Sequence, residues 1–223
     1  DITGTVLEEH PVEVTEEQVK EAVLSFTGEY MQVPPMYSAL KVNGKKLCDL
    51  ARTGVTVERQ ARPVQIYSIE IIKMELPRVC MRVRCSKGTY IRTLCQDIGE
   101  KLSCGACMES LLRTKVSEFC VQDALRLSEI EERVQKAAGQ TPSEQWNAEM
   151  FDFIYAVDSV FLQYKKAVIC KEWNKLLYNG NRMKKDMFVS YQKDWEQQKV
   201  RIYDEEGHFI GIYEYSEIHG DYK

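Results

Sequence analysis

Two long runs of β-forming residues in the middle of the chain constrain its fold more than any other feature. Residues 64–74 and 79–85 alternate apolar and polar side chains over most of their length, which is typical of half-buried strands. We predict that they are paired strands of an α+β fold built on a mixed or antiparallel sheet. Helices are expected around 15–27 and 88–102, because both segments space apolar residues at helical intervals.

Local signals set several further boundaries. Thr15 and Gln18 form a capping box, which predicts a helix that ends at Gly28 as the C′ residue and has an apolar face of Val19, Ala22, Val23 and Phe26. Residues 4–8 are predicted to be a strand, and Ser128 is predicted to cap a charged helix that runs to Lys136.

The segment from 31 to 54 is punctuated by turn residues. Pro34 and Pro35 exclude a continuous helix, and Asn43-Gly44 predicts a hairpin turn. A short helix is expected over 46–52, closed by Gly54.

A change in composition near residue 137 predicts a domain boundary. Residues 137–147 are small and polar, and short β-type runs follow at 167–170, 187–191, 199–203 and 209–213. We therefore expect one domain over 1–136, a linker over 137–151 and a small β-rich domain over 152–223, which is near the lower size limit for an independent core.

Composition describes an ordinary globular chain, with 44% hydrophobic and 29% charged residues. There is no run of about 18 apolar residues and no secretory signal pattern at residue 1, so neither a membrane span nor secretion is expected. The eight cysteines lack framework spacing, which favours reduced thiols and a cytoplasmic location.

Charge is unevenly distributed along the chain. The net charge is −4, yet residues 30–62 carry six bases against two acids, and residues 82–116 carry seven against three. Such blocks permit contact with RNA phosphates, although charge runs are also common on plain solvated surfaces.

Three stretches carry a family resemblance: QVPPMYSALKVNGKKL at 32–47, CSKGTYIRTL at 85–94, and LSCGA at 102–106 with LLRT at 111–114. In this order they resemble the TruB family of tRNA pseudouridine synthases, and ARPV at 61–64 and DITG at 1–4 fit the same pattern. The end of the chain resembles, more weakly, the small PUA-like RNA-binding domain of bacterial members.

The resemblance implies a reaction and a substrate. Family members isomerise uridine 55 in the T-loop of tRNA to pseudouridine, without cofactor or metal, after flipping the base out of the folded RNA. Their nucleophile is an aspartate in a G-H-x-G-T-L-D-type motif, which does not occur in the 223 residues. We therefore expect a partial catalytic domain that binds the tRNA T-arm but is inactive alone. An uncovered strand edge or apolar patch is then expected to favour self-association.

The resemblance also assigns active-site roles. Tyr90 and Arg92 match the family's Tyr-x-Arg, in which the ring stacks on uracil and the guanidinium orients the nucleophilic carboxylate. Asp1 matches an acidic residue that pairs with this arginine, and Leu111 matches an apolar residue of the uracil pocket. Each role has an alternative without function: Tyr90 as a core aromatic, Arg92 as a surface charge, Asp1 as a frayed terminus and Leu111 as a plain core leucine.

Residues 30–60 correspond to the family's RNA-clamping insertion, the thumb. The resemblance assigns a group of residues to RNA binding: Met36, Tyr37, Lys41, Lys45, Lys46, Arg52, Arg59, Lys87 and Arg113. For any single lysine of this group, the alternative is a solvated surface position without RNA contact.

Other interpretations compete with the leading one. Cys104 and Cys107 have CxxC spacing, but a zinc site needs a second pair of ligands, and no metal or redox role is expected. A non-catalytic tRNA-binding or tRNA-folding protein would use the thumb and the PUA-like domain without a nucleophile. A PUA-containing translation module would have no use for residues 88–92.

Overall fold

The computed structural model describes residues 1–139 and 150–223. The chain forms two compact units, Asp1–Leu112 and Arg113–Lys223. Residues 113–139 group with the second unit because they contact its early residues: Arg133 pairs with Asp152 at 2.7 Å, and the Phe119 ring lies edge-on to Tyr155. The division falls earlier than the expected boundary at 136. Most of the expected linker, 137–151, lies outside the described residues, so the functional domain limits stay a prediction.

The first unit is built on a three-stranded antiparallel sheet. Strands β4 (Arg62–Glu75) and β5 (Arg78–Cys85) pair as a long hairpin, as predicted. Strand β1 (Gly28–Gln32) pairs with the other side of β4 and gives the order β1-β4-β5. The register of the hairpin shifts between Ile66 and Ser68 and again between Ile71 and Lys73. Each bulge adds one extra residue to β4. The apolar side chains of β4 therefore stay on one face of the sheet, although the sequence spaces some of them three residues apart.

Two helices cover that face. Helix α1 (Glu16–Leu24) and helix α3 (Ile91–Lys101) bury Val19, Val23, Leu94 and Ile98 against β4. Each such fully buried side chain stabilises the fold by about 1.5–3 kcal/mol. The capping box of α1 is confirmed, with the Gln18 amide nitrogen 3.3 Å from Thr15 Oγ1.

The predicted C-terminus of α1 was wrong. The helix ends at Ser25, whose hydroxyl donates to the Ala22 carbonyl at 2.7 Å. Gly28 opens β1 instead, with φ of 111°, because pairing with Ile66 of β4 takes over three residues beyond the helix.

Three other local predictions were also wrong. Residues 4–8 are exposed and form no strand, because nothing in the described part of the chain pairs with them. Residues 187–191 make a single bridge, Ile169 to Phe188, and Met187 belongs instead to a short 3-10 turn, Lys185–Met187. Helix α4 (Leu127–Ala138) starts one residue before Ser128, and the Glu129 carboxylate caps it by accepting from the Arg126 amide at 2.7 Å.

The thumb segment folds as predicted. Strands β2 (Lys41–Val42) and β3 (Lys45–Lys46) form a hairpin through Asn43 and Gly44, both with positive φ as a type I′ turn requires. Helix α2 (Leu47–Arg52) follows directly and buries Leu47.

The second unit contains a mixed sheet of order β10-β9-β8, in which β8 (Lys165–Val168) runs parallel to β9 (Val200–Tyr203) and β10 (Phe209–Tyr213) runs antiparallel. Its smaller elements are β6 (Lys115–Val116), β7 (Phe119–Cys120), α5 (Asn174–Tyr178), β11 (Tyr215–Ser216) and β12 (Asp221–Tyr222). Its core is aromatic and aliphatic, with Trp195, Tyr222 and Ile202 buried. The expected α+β class with antiparallel and mixed sheets is confirmed. In the described ranges no helix is long and apolar enough to cross a bilayer.

Candidate functional site

Tyr90 and Arg92 lie where β5 leads into α3. A turn over residues 86–89 follows the strand, with Gly88 at φ of 84°. Tyr90 is then the N-cap residue of α3, in extended conformation, and Arg92 is the second residue of the helix. Tyr90 is half-buried and Arg92 is exposed, so both remain accessible at the same helix end.

A buried glutamine holds the backbone of Tyr90. The Gln32 side-chain oxygen accepts from the Tyr90 amide at 2.8 Å, and its side-chain nitrogen donates to the Tyr90 carbonyl at 3.0 Å. The same nitrogen also donates to the Tyr30 hydroxyl, which donates to Asp97 at 3.2 Å. Gln32 is 1% exposed, so these bonds fix the start of α3 relative to β1.

Burial raises the pKa values of two groups in this network, Tyr30 and Asp97. Burial raises the pKa of Tyr30, and the nearby Asp97 carboxylate adds to that effect. Burial also raises the pKa of Asp97, against the opposing hydrogen bond from Tyr30. Tyr30 therefore stays a neutral hydroxyl that donates to Asp97 across the physiological range.

Asp1 lies against Arg92. Arg92 Nε donates to Asp1 Oδ2 at 3.0 Å, and Thr3 Oγ1 donates to Asp1 Oδ1 at 2.7 Å. The Asp1 side chain is 22% exposed. The pair orients the guanidinium, although a partly exposed ion pair contributes only about 0–1 kcal/mol to stability.

The Leu111 side chain is exposed. It is 57% exposed, so the interpretation as a plain core leucine does not hold, and its place in a uracil pocket stays a prediction. Arg113, assigned to RNA binding from sequence, begins the second compact unit and is exposed.

The thumb brings its lysines together. Lys41, Lys45 and Lys46 are exposed and line a cavity of about 510 Å³ on the β2–β3 hairpin and α2. Tyr37 is 61% exposed at the base of the thumb, and Met36 is half-buried.

The two thumb arginines have protein partners. Arg52 pairs with Asp49 at 3.2 Å. Arg59 is half-buried and donates to the Pro34 carbonyl at 3.2 Å. The lysines are thus the cations most available to phosphates, and the RNA-binding roles of the whole group stay predictions.

Sequence reasoning missed two residues of this region. The role of Gln32 does not show in its motif, because its amide bonds the backbone of Tyr90, 58 positions away, as well as the Tyr30 hydroxyl. Arg62 was counted only as charge, yet it lines a second cavity with Lys87 and Tyr90. The available signal was the presence of both residues in the stretches that carry the family resemblance.

The cysteines form no metal centre in the described part of the chain. All eight are free thiols, and within residues 1–139 and 150–223 no three His, Cys, Asp or Glu side chains are grouped to hold an ion. Burial raises the pKa of Cys95, and the nearby Cys107 adds to that effect, which keeps the Cys95 thiol protonated.

Comparison with known proteins decides the family. Residues 1–91 match the model of the TruB family pseudouridylate synthase N-terminal domain, and residues 92–162 match that of the tRNA pseudouridylate synthase B C-terminal domain. A tRNA pseudouridine synthase B from Clostridium acetobutylicum is 38% identical, over 97% of this chain and 69% of the relative. The chain belongs to the TruB family. A TruB relative from Lachnoclostridium phytofermentans is 48% identical, over 87% of this chain but only 63% of its own length.

Solved structures agree with this TruB assignment at the level of the fold. A chain of a Cbf5–Nop10–Gar1 complex superposes with a TM-score of 0.64 at 20% identity, covering 93% of this chain and 57% of that one. The likeness is one of backbone architecture.

Proposed function

We propose that these residues form the substrate-binding and orienting part of a tRNA pseudouridine synthase that converts uridine 55 of the T-loop to pseudouridine. The observation that carries the proposal is the meeting of Tyr90, Arg92 and Asp1 at one helix end. In the family this Tyr-x-Arg belongs to the active site. Family membership and the exposed thumb lysines support the same substrate class.

Each residue has a defined part in the proposed reaction. The N1–C1′ bond of the flipped uridine breaks, ring carbon C5 bonds to C1′ of the ribose, and C5 loses its hydrogen as a proton while N1 gains one. Tyr90 offers a stacking face and a hydroxyl for proton transfer. Arg92, oriented by Asp1, holds a nucleophilic carboxylate ionised and correctly directed.

The nucleophilic carboxylate itself has no counterpart motif among the 223 residues. Tyr90 and Arg92 can position and polarise, but neither replaces an aspartate that attacks the substrate. We therefore propose that residues 1–223 alone bind tRNA without turning it over. Non-catalytic tRNA binding or folding is the second candidate, since the thumb lysines need no nucleophile to contact phosphates.

The first prediction separates binding from chemistry. Residues 1–223 should retain salt-dependent tRNA binding in a filter-binding titration and release no tritium above background from uridine-labelled tRNA. Lys45→Ala with Lys46→Ala should weaken binding and flatten its salt dependence by roughly one unit per lost phosphate contact. Lys73→Ala with Lys101→Ala removes the same charge outside the thumb and is the matched control. Multiple-turnover release by residues 1–223 would place the nucleophile within this chain.

Complementation distinguishes the two candidate functions. The L. phytofermentans relative has about a third of its length outside the match, and that part, made separately, is the fragment to test for a nucleophile. If mixing restores tritium release, Arg92→Ala should abolish the restored rate and change tRNA affinity little. Failure to restore any rate, with binding intact, favours the non-catalytic candidate.

A further inference from the structure

A small cavity beside Tyr90 combines an apolar lining with exposed cations. Its volume is about 180 Å³, and its lining includes Pro34, Leu40 and Val64, all buried or half-buried. Arg62 and Lys87, both exposed, lie on the same cavity. The volume is below the roughly 300 Å³ at which pockets for drug-sized ligands begin, so the space suits a single small group.

In the part of the chain that the structure describes, these two cations lack the anionic partners that Lys73 and Arg82 have. On the same β4–β5 hairpin, Lys73 pairs with Glu75 at 2.9 Å and Arg82 pairs with Glu70 at 2.6 Å. Among the described residues, Arg62 and Lys87 form no ion pair. Arg59 adds positive charge nearby, since it donates to the carbonyl of Pro34, a lining residue. The region is therefore complementary to an anion.

Hydrogen bonds fix the frame of this cavity. Gln32 pairs in register with Arg62 across β1 and β4, and it also holds the Tyr90 backbone. The turn that carries Lys87 is tied to β4, because the Ser86 amide donates to the Gln65 carbonyl at 2.8 Å. One sheet therefore fixes the positions of the strand that carries Arg62 and of the turn that carries Lys87. The same sheet fixes the position of Tyr90 through Gln32.

We propose that this cavity is a subsite for a backbone phosphodiester of the RNA whose uridine is presented to Tyr90. The subsite rests on the proposed function. Arg62 supplies a planar fork of donors that matches phosphate oxygens, and Lys87 supplies a compact charge. The two cations lie on one small cavity, so both can reach the oxygens of a single phosphate.

The first experiment compares two double variants of residues 1–223 that remove equal charge. Arg62→Gln with Lys87→Gln should lower affinity for a T-arm RNA hairpin roughly tenfold at about 0.1 M salt and reduce the salt slope by about one. Lys73→Gln with Arg82→Gln, on the β4–β5 hairpin of the protein, should leave the salt slope of RNA binding within error of that of the parent chain. Circular dichroism checks folding, and Lys87→Gln alone, on an exposed turn, repeats the test if the double variant unfolds.

The second experiment places the phosphate. Hairpins with a neutral methylphosphonate at the position 5′ or 3′ of the target uridine should bind the parent chain more weakly at one of these positions. The Arg62, Lys87 double variant should show no further loss with that hairpin. Two results overturn the subsite while leaving RNA binding in place. One is an equal loss of affinity for the methylphosphonate hairpin by the parent chain and the Arg62, Lys87 double variant. The other is a salt slope of this double variant equal to that of the Lys73, Arg82 control. Absence of any salt-dependent RNA binding by the parent chain overturns the proposed function and the subsite with it.

Discussion

At the residue scale, Gln32 has the most demanding position in the first unit. A side-chain amide at 1% exposure must satisfy its own donors and acceptor, and here they bond to both backbone groups of Tyr90 and to Tyr30. Among the common side chains only an amide offers an acceptor and a donor in this planar arrangement. Gln32 therefore positions Tyr90, and with it the start of α3, through the backbone.

Gln32→Leu should lower the free energy of unfolding by about 1–3 kcal/mol, because it leaves the Tyr90 amide without its acceptor, while the Tyr90 carbonyl keeps the Leu94 amide at 3.0 Å. Urea unfolding measures the change. Gln96→Leu, at an exposed glutamine of α3 that donates to Glu100, is the control and should stay within about 0.5 kcal/mol of the parent. Equal stability of the Gln32→Leu variant and the parent would contradict the positioning role.

At the element scale, the turn between β9 and β10 contains a buried carboxylate. Asp204 is 1% exposed and accepts hydrogen bonds from the Tyr178 hydroxyl at 2.7 Å and from the His208 backbone and ring, each at 2.8 Å. Burial by itself raises the pKa of Asp204, but these donors outweigh it and bring the pKa from 3.8 down to about 2. The hydrogen bond to Asp204 raises the pKa of His208 above 6.5, with Glu206 contributing.

The two shifts act on stability at opposite ends of the pH range. The lowered pKa of Asp204 stabilises the fold above pH 3.8, and this contribution is lost as pH falls from 3.8 through about 2. The raised pKa of His208 stabilises the fold below pH 6.5, and this contribution is lost as pH rises through the folded-state pKa.

His208→Gln should therefore flatten the decline in unfolding free energy that begins above about pH 6.5 and ends above the raised folded-state pKa of His208. Urea unfolding across that range measures the decline. His219→Gln removes another exposed imidazole of the same unit and should leave the decline unchanged. A parent chain whose stability does not fall over this range would refute the His208–Asp204 linkage.

Elements governed by neighbouring residues were predictable from sequence, and those governed by distant ones were not. The α1 cap and the Asn43-Gly44 turn depend on residues at most three apart, and both are confirmed. The start of β1 at Gly28 depends on pairing with Ile66, and the single bridge within 187–191 joins Phe188 to Ile169, 19 positions earlier. The same distinction holds at the site.

Motif spacing found Tyr90 and Arg92, whereas Gln32 and Arg62 needed the sheet register. Their contribution arises from the pairing of β1 with β4, and neither residue type signals that role alone. The one available cue was the presence of both residues in the stretches that carry the family resemblance.

At the scale of the whole molecule, charge and exposed apolar surface are unevenly placed. Eight acids against one lysine in residues 1–29 precede the thumb, so an overall charge of −4 coexists with a cationic thumb surface. Apolar side chains are exposed in the same acidic stretch and just after it, with Leu7 at 89% and Met31 at 57% exposure. Such surface favours contact with another apolar surface.

The sheet of the first unit ends in β1 on one side and β5 on the other, and edge strands offer unpaired backbone groups to a second chain. Residues 1–223 should therefore self-associate, with a light-scattering mass that rises above the monomer's 25.9 kDa as concentration increases. Met31→Lys should lower that mass toward the monomer, because a charge on an edge strand opposes pairing. Ile72→Lys adds the same charge at an exposed site of the central strand β4 and should have a smaller effect. A parent mass that stays at the monomer value throughout a dilution series, or equal effects of the two lysines, would rule out association through this edge.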